Sequence, residues 1–295
     1  MYANATGRRT IRDGEFAKHG TSPSLRASRT GGVTYAWNME TVAEFPPQTL
    51  PPRIHLLGIA VDNVTLADAV ELILQGLEDQ RTRRACFVNA DCVNLAFRDH
   101  AYRQVLQEAD LVFADGSGMR LAGIVLGRRV RDNVNGTDLF PRLCKALAGR
   151  GKRIFLLGAR PGIARRAAQW ILDRFPGLAV AGYRDGYFSA EEESAVIEEI
   201  RHAQADVLLV AFGAPRQDIW IRDHLDRLGV KMALGVGGLF DFYSGRLPRA
   251  PRWIRKLGLE WAYRLYQEPR RLWKRYLIGN AAFLLRIFWA RLRHD

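Results

Sequence analysis

An apolar run, Leu111–Ala114, ends in Asp115-Gly116-Ser117-Gly118, so a strand-like segment delivers a carboxylate into a turn with two glycines. A carboxylate at the end of a strand can take a proton or accept a hydrogen bond from a sugar hydroxyl, and glycines let a ligand come close to the backbone. The same residues also spell an ordinary Asp-Gly turn whose aspartate only caps the backbone. Two further glycine-containing turns carry side chains able to read a base or a ribose. One is Gln217 in Gly213-Ala214-Pro215-Arg216-Gln217-Asp218, the other Asp241 in Gly235-Val236-Gly237-Gly238-Leu239-Phe240-Asp241. The glycine cluster around Gly237 can admit a flat ligand. Plain loop chemistry explains either segment equally well. Gly158-Ala159-Arg160-Pro161-Gly162 offers backbone N–H groups and one arginine to a diphosphate, without the Gly-Lys-Ser/Thr of a P-loop or a dinucleotide spacing. Asn135-Gly136-Thr137-Asp138-Leu139 reads as an Asn-Gly turn in which Thr137 or Asp138 caps a helix.

No metal site is legible. His19, His55, His100, His202, His224 and His294 show no ligand pairing, Cys86, Cys92 and Cys144 have no metal spacing, and no Asp-x-Asp occurs. The expectation is a protein without metal or cofactor, in which backbone dipoles and arginines hold any nucleotide phosphates. Three cysteines without an even framework fit a reducing, cytoplasmic setting.

Turns of this kind need strands behind them. Short apolar runs at 54–61, 85–88, 111–114, 154–157, 207–212 and 232–235 alternate with helical patterns such as 164–175 and 190–202. Thr65 and Ser189 can cap helices, and Glu191, Glu192 and Glu193 suit the first turn of theirs. The alternation predicts an α/β fold over residues 53–245, with a mostly parallel, Rossmann-like sheet flanked by helices. Ligands then collect beyond the carboxyl ends of the strands. After Gly245 the strand signals stop, and a C-terminal basic and aromatic helical appendage is expected over 246–295. Its helices are expected at 252–267 and 270–292, the first with Trp253, Leu257, Trp261 and Leu265 four residues apart. Residues 1–52 read as a disordered polar leader without a signal peptide.

Charge follows the same division. The chain of 295 residues carries +13, but thirteen basic residues and only Glu260, Glu268 and Asp295 among the acids fall from Arg246 onward. That segment holds +10 and the preceding part only +3. Trp253, Trp261, Trp273 and Trp289 are interleaved with the arginines, a mixture suited to the headgroup layer of an anionic membrane or to single-stranded nucleic acid. The uncharged stretch 276–285 is far too short to span a bilayer. An apolar stripe at helical spacing also suits a subunit interface, so a homo-oligomer is a further expectation.

Taken together, 109–118, 135–139, 185–188, 213–218 and above all 235–275 resemble the TagA/WecG/CpsF family of bacterial glycosyltransferases, and the likeness extends from about Leu57 to Asn280. The resemblance implies transfer of a sugar from a UDP-sugar to a polyprenyl-diphosphate-linked saccharide on the cytoplasmic face of the membrane, with inversion and no required metal. It implies a general base at Asp115 and a pocket asparagine at Asn89. Asp138, Gln217, Gly237 and Asp241 fall on the substrate-binding segments, and Arg264 and Arg271 match appendage arginines that meet the diphosphate. Three positions depart from better-known members: Phe87 stands where Thr is frequent, Asn133 where Arg is, and Lys274 at a third appendage arginine. Arg131 is expected to supply the charge missing at 133. Family donors are UDP-glucose, UDP-N-acetylmannosamine and UDP-N-acetylmannosaminuronate, and 89–92 with 131–133 look closer to the exopolysaccharide glucosyl branch. Two rivals are a nucleic-acid-binding protein using the basic C-terminus and a non-catalytic scaffold for polyprenyl-linked sugars.

Overall fold

The computed structural model describes residues 52–293, so the leader expected over 1–52 lies, Pro52 aside, outside the described residues. The first apolar run is not one strand. Leu57 and Gly58 both take left-handed φ values, +53° and +78°, the requirement of a tight hairpin turn. They fold 54–61 into β1 (Arg53–Leu56) and β2 (Ile59–Asp62), an antiparallel pair. Apolar periodicity could not reveal this, because both arms are apolar.

The remaining strands are β3 (Arg83–Val88), β4 (Leu111–Ala114), β5 (Arg153–Gly158), β6 (Ala179–Arg184), β7 (Val207–Ala211) and β8 (Met232–Gly235). They extend the hairpin into an eight-stranded sheet of order β1-β2-β4-β3-β8-β7-β5-β6, with every pair after the first parallel. Strand β6 is a half-exposed edge with Gly182 packed under Phe155, which is why its sequence gives little strand signal.

Helices fill the crossovers. They run from α1 (Leu66–Gln75) through α2 (Ala90–Arg98), α3 (His100–Gln107), α4 (Ser117–Val125), α5 (Gly136–Ala148), α6 (Ile163–Arg174), α7 (Ala190–Ala203) and α8 (Arg216–His224) to α9 (Leu239–Tyr243). Thr65 and Ser189 cap α1 and α7 through reciprocal bonds with Asp68 and Glu192. Alternating strand residues face opposite layers. Ala85, Phe113, Leu156 and Leu234 pack under α1, α5, α6 and α9. On the other face Cys86, Val88 and Val112 meet α2, α3 and α4, while Leu157, Leu208 and Val210 meet α7 and α8. Burial on both faces explains the continuous apolar runs of the central strands.

The last segment differs in detail from two plain helices. It consists of α10 (Arg252–Lys256), α11 (Glu260–Gln267), α12 (Pro269–Trp273), a π-helical turn Lys274–Ile278 and α13 (Gly279–Leu292). Gly258, at φ +72°, breaks the stretch 252–267. The four-residue stripe is thereby divided between two helices, and Trp253 and Leu257 remain exposed. By contrast α13 joins the core. Phe283 and Ile287 are buried with Cys92, Val93, Met119 and Ala122. Asn94 on α2 donates to the Gly279 carbonyl at 2.7 Å and accepts from Arg286 Nε at 3.0 Å.

Candidate active site

The strands keep one direction across the boundary of β3 and β8, but the order of addition changes side there: β4 lies outward on one side, and β7, β5 and β6 lie on the other. Parallel sheets leave a crevice beyond the carboxyl ends of the strands at such a change of side. Here the loops after β3, β4, β5, β7 and β8 enclose a cavity of about 410 Å³. Segments 135–137, 159–160, 186–187 and 213–217 all contribute to its wall, as do Arg264, Arg271 and Arg275 from the last segment.

Asp115 sits on this wall directly after β4, its backbone N–H donating to the Val88 carbonyl at 2.8 Å. The neighbouring side chain is Asn89, the N-cap of α2. Its Oδ1 accepts from the backbone N–H groups of Asp91 and Cys92 at 3.1 and 3.2 Å. That fixes the amide, so Nδ2 is the end presented to Asp115 Oδ2, at 3.4 Å. Burial pushes the Asp115 carboxyl up to about 6 and Glu260 adds to the rise, while Asn89, Arg275 and Arg264 favour the charged form. The turn after the aspartate is also pinned: Gly116, at φ +91°, donates to Asn133 Oδ1 at 2.6 Å. Ser117 Oγ donates to the Gly258 carbonyl at 2.9 Å, tying the turn to the break between α10 and α11.

Gln217 also lines the cavity and is almost wholly buried. Its Oε1 accepts from Gly213 N at 3.1 Å and Gly237 N at 2.8 Å. One side chain therefore clamps the loops after β7 and β8 together. Asp218, the next residue, turns into the core, where its Oδ2 accepts from the Tyr102 hydroxyl at 3.0 Å. Asp241 lines the cavity, ion-paired with Arg246 at 3.0 Å.

Glu268 organises the arginines. It accepts from Arg246 at 3.1 Å and, through both oxygens, from Arg271 at 2.9 Å, with Arg264 at 3.9 Å. Burial raises its carboxyl, but the arginines outweigh that and hold it below the usual range. Arg264 also lies over the Phe242 ring at 5.0 Å and against Gly238, where an added Cβ would meet Nη2 at 3.1 Å. The carboxylate of Asp138 has a different job. It is not part of the cavity wall, and it binds Asn135 Nδ2 at 2.8 Å and Arg249 at 2.7 Å, with Arg255 at 3.5 Å. It thus holds the start of the last segment against α5.

A model of the glycosyl transferase WecG/TagA/CpsF family matches residues 54–295. The chain belongs to this family. Among its similar proteins is an N-acetylglucosaminyldiphosphoundecaprenol N-acetyl-beta-D-mannosaminyltransferase of Bacillus subtilis, 34% identical over 64% of this chain and 73% of the relative. A Staphylococcus aureus protein with the same description is 31% identical over 75% of this chain and 87% of its own length.

Within the WecG/TagA/CpsF framework, the three departures have distinct surroundings. Phe87 forms an apolar wall of the cavity and packs on Phe113 with ring centroids 5.5 Å apart. Asn133 holds Gly116 as described. Lys274 is not on the cavity wall and lies over the Trp273 ring at 5.5 Å. Arg131 does not replace a charge at 133, because it pairs with Asp68 at 3.2 Å away from the cavity. Sequence reasoning missed Arg275, which does line the cavity, and the organising role of Glu268. The spacing of Arg275 four residues after Arg271 was the available signal for the first. Among the described residues no group of three His, Cys, Asp or Glu side chains could hold a metal ion, and no helix is long and apolar enough to cross a membrane.

Proposed function

We propose that this chain moves a hexose or N-acetylhexosamine-type sugar from a UDP-sugar to a saccharide carried on a polyprenyl diphosphate. The transfer proceeds with inversion and without metal or cofactor, in synthesis of exopolysaccharide or another cell-envelope polysaccharide. The observation that carries this reading is one cavity lined both by a carboxylate whose pKa is raised by burial and by arginines from the last segment. On this reading Asp115 takes the proton of the acceptor hydroxyl as its oxygen attacks the anomeric carbon, and the bond to UDP breaks on the opposite face. Arg264 and Arg271 offset charge developing on the leaving diphosphate. Asn89, Gln217, Gly237 and Asp241 shape the donor pocket, and Asp138 acts at one remove through the arginines it anchors.

The relatives' names support an acceptor of the N-acetylglucosaminyldiphosphoundecaprenol type and favour N-acetylmannosamine over glucose as the donor sugar. Exposed Trp253, Leu257, Leu285, Phe288 and Trp289, beside a segment of +10, support peripheral contact of 246–295 with an anionic membrane on its cytoplasmic face. Nucleic acid has no part in this reading. The test is UDP release from the three candidate UDP-sugars with a synthetic polyprenyl-diphosphate N-acetylglucosamine, the product read by mass spectrometry. One donor is expected to add one sugar, with or without EDTA. Absence of acceptor-dependent release from every donor returns the protein to a non-catalytic scaffold.

A further inference from the structure

Arg275 lies in the π-helical turn Lys274–Ile278, a local widening that often marks functional positions in helices. Its Nε is 3.1 Å from Asp91 Oδ2 on the first turn of α2, the helix whose cap, Asn89, touches Asp115. That nitrogen is buried without a hydrogen-bond partner, and among the described residues no group accepts a bond from the guanidinium. Arginine presents five donors in a planar fork, so Asp91 neutralises charge while leaving the donors free. Each of the two neighbouring cations lies over a ring, Arg275 over Tyr276 at 5.7 Å and Lys274 over Trp273 at 5.5 Å, but only Arg275 reaches the cavity wall.

We propose that Arg275 is a third arginine touching the diphosphate of the bound substrate, and that Asp91 is the positioning residue that holds it beside the Asp115 turn. The inference rests on the reading of the cavity as a site for UDP-sugar and lipid diphosphate. Three arginines then approach the phosphates from one segment: Arg264 from α11, Arg271 from α12 and Arg275 from the π-turn.

The full chain and its variants are titrated calorimetrically with UDP and, separately, with inorganic pyrophosphate. Arg275→Gln is expected to weaken both by roughly 10-fold or more, the worth of a charge-assisted hydrogen bond. Arg275→Lys recovers part of the loss, and Lys274→Gln stays within about 2-fold of the parent by the same arithmetic. Asp91→Asn weakens both probes in the parent but has no further effect in the Arg275→Gln background. Parent-like affinity of a folded Arg275→Gln variant, or an equal loss in Lys274→Gln, overturns the proposal. A parent that binds pyrophosphate but not UDP, with binding lost in Arg275→Gln, rejects the UDP reading and upholds Arg275 as a diphosphate ligand. Binding of neither probe by the parent overturns both.

Discussion

Asp115 and Asn89 form a unit in which a helix cap favours the charged form of the carboxylate proposed as the base. Replacing Asp115 with Asn is expected to lower turnover by about 10²-fold or more while leaving UDP affinity unchanged, since only proton transfer is removed. Steady-state kinetics beside calorimetry check both halves, and near-normal turnover removes Asp115 from the role. A base must be ionised to act, so kcat/KM should climb with pH through a midpoint near the raised value of about 6 and level off above it. Asn89 donates to the charged carboxylate and lowers that midpoint. Asn89→Ala should therefore move the acid limb to higher pH, and a limb that stays put refutes the pairing. Asp115 was legible because an apolar strand ending in Asp-Gly is visible as letters. Asp138 carried the same kind of signal, yet its partners Arg249 and Arg255 stand more than a hundred residues away, and only the fold reveals them.

At the scale of elements, central strands were the most legible part, since burial on both faces demands uninterrupted apolar runs. Strand β4 and strand β8 coincide with their apolar runs, and α7 with its capped pattern. The hairpin of β1 and β2, edge strand β6 and the break at Gly258 were not legible, because each turns on backbone geometry or edge position that hydropathy does not record. Gln217 shows the same limit within the site. Its two bonds join loops that follow different strands, and neither loop sequence names the other. Gln217→Ala leaves the amides of Gly213 and Gly237 without their partner, an expected cost of about 1–3 kcal/mol. Urea unfolding measures it, and a loss under about 0.5 kcal/mol would mean that water replaces the clamp easily.

For the whole molecule, the +10 segment has two faces. Phe283 and Ile287 enter the core, whereas Leu284, Leu285, Phe288 and Trp289 stay exposed on the same helix. Deleting this segment therefore removes core packing as well as charge. Phe283→Ala is expected to destabilise the fold by about 3–5 kcal/mol, read by denaturant unfolding. Trp289→Ser together with Phe288→Ser should instead leave stability nearly unchanged and weaken sedimentation with anionic liposomes. Unaltered liposome binding by that double variant counts against the membrane contact.

The seat for α13 between α2 and α4 also orders events during synthesis. Asn94 waits for partners at Gly279 and Arg286, 185 and 192 residues later in the chain. Until those residues have left the ribosome, the apolar slot around Cys92, Val93 and Met119 stays open to water and to chaperones. A chain ending between β8 and α13 has all eight strands and the Asp115 turn but lacks the helix that covers this flank. One segment therefore does two jobs in sequence: it first carries Arg264, Arg271 and Arg275 to the cavity, and its last helix then covers apolar surface on α2 and α4.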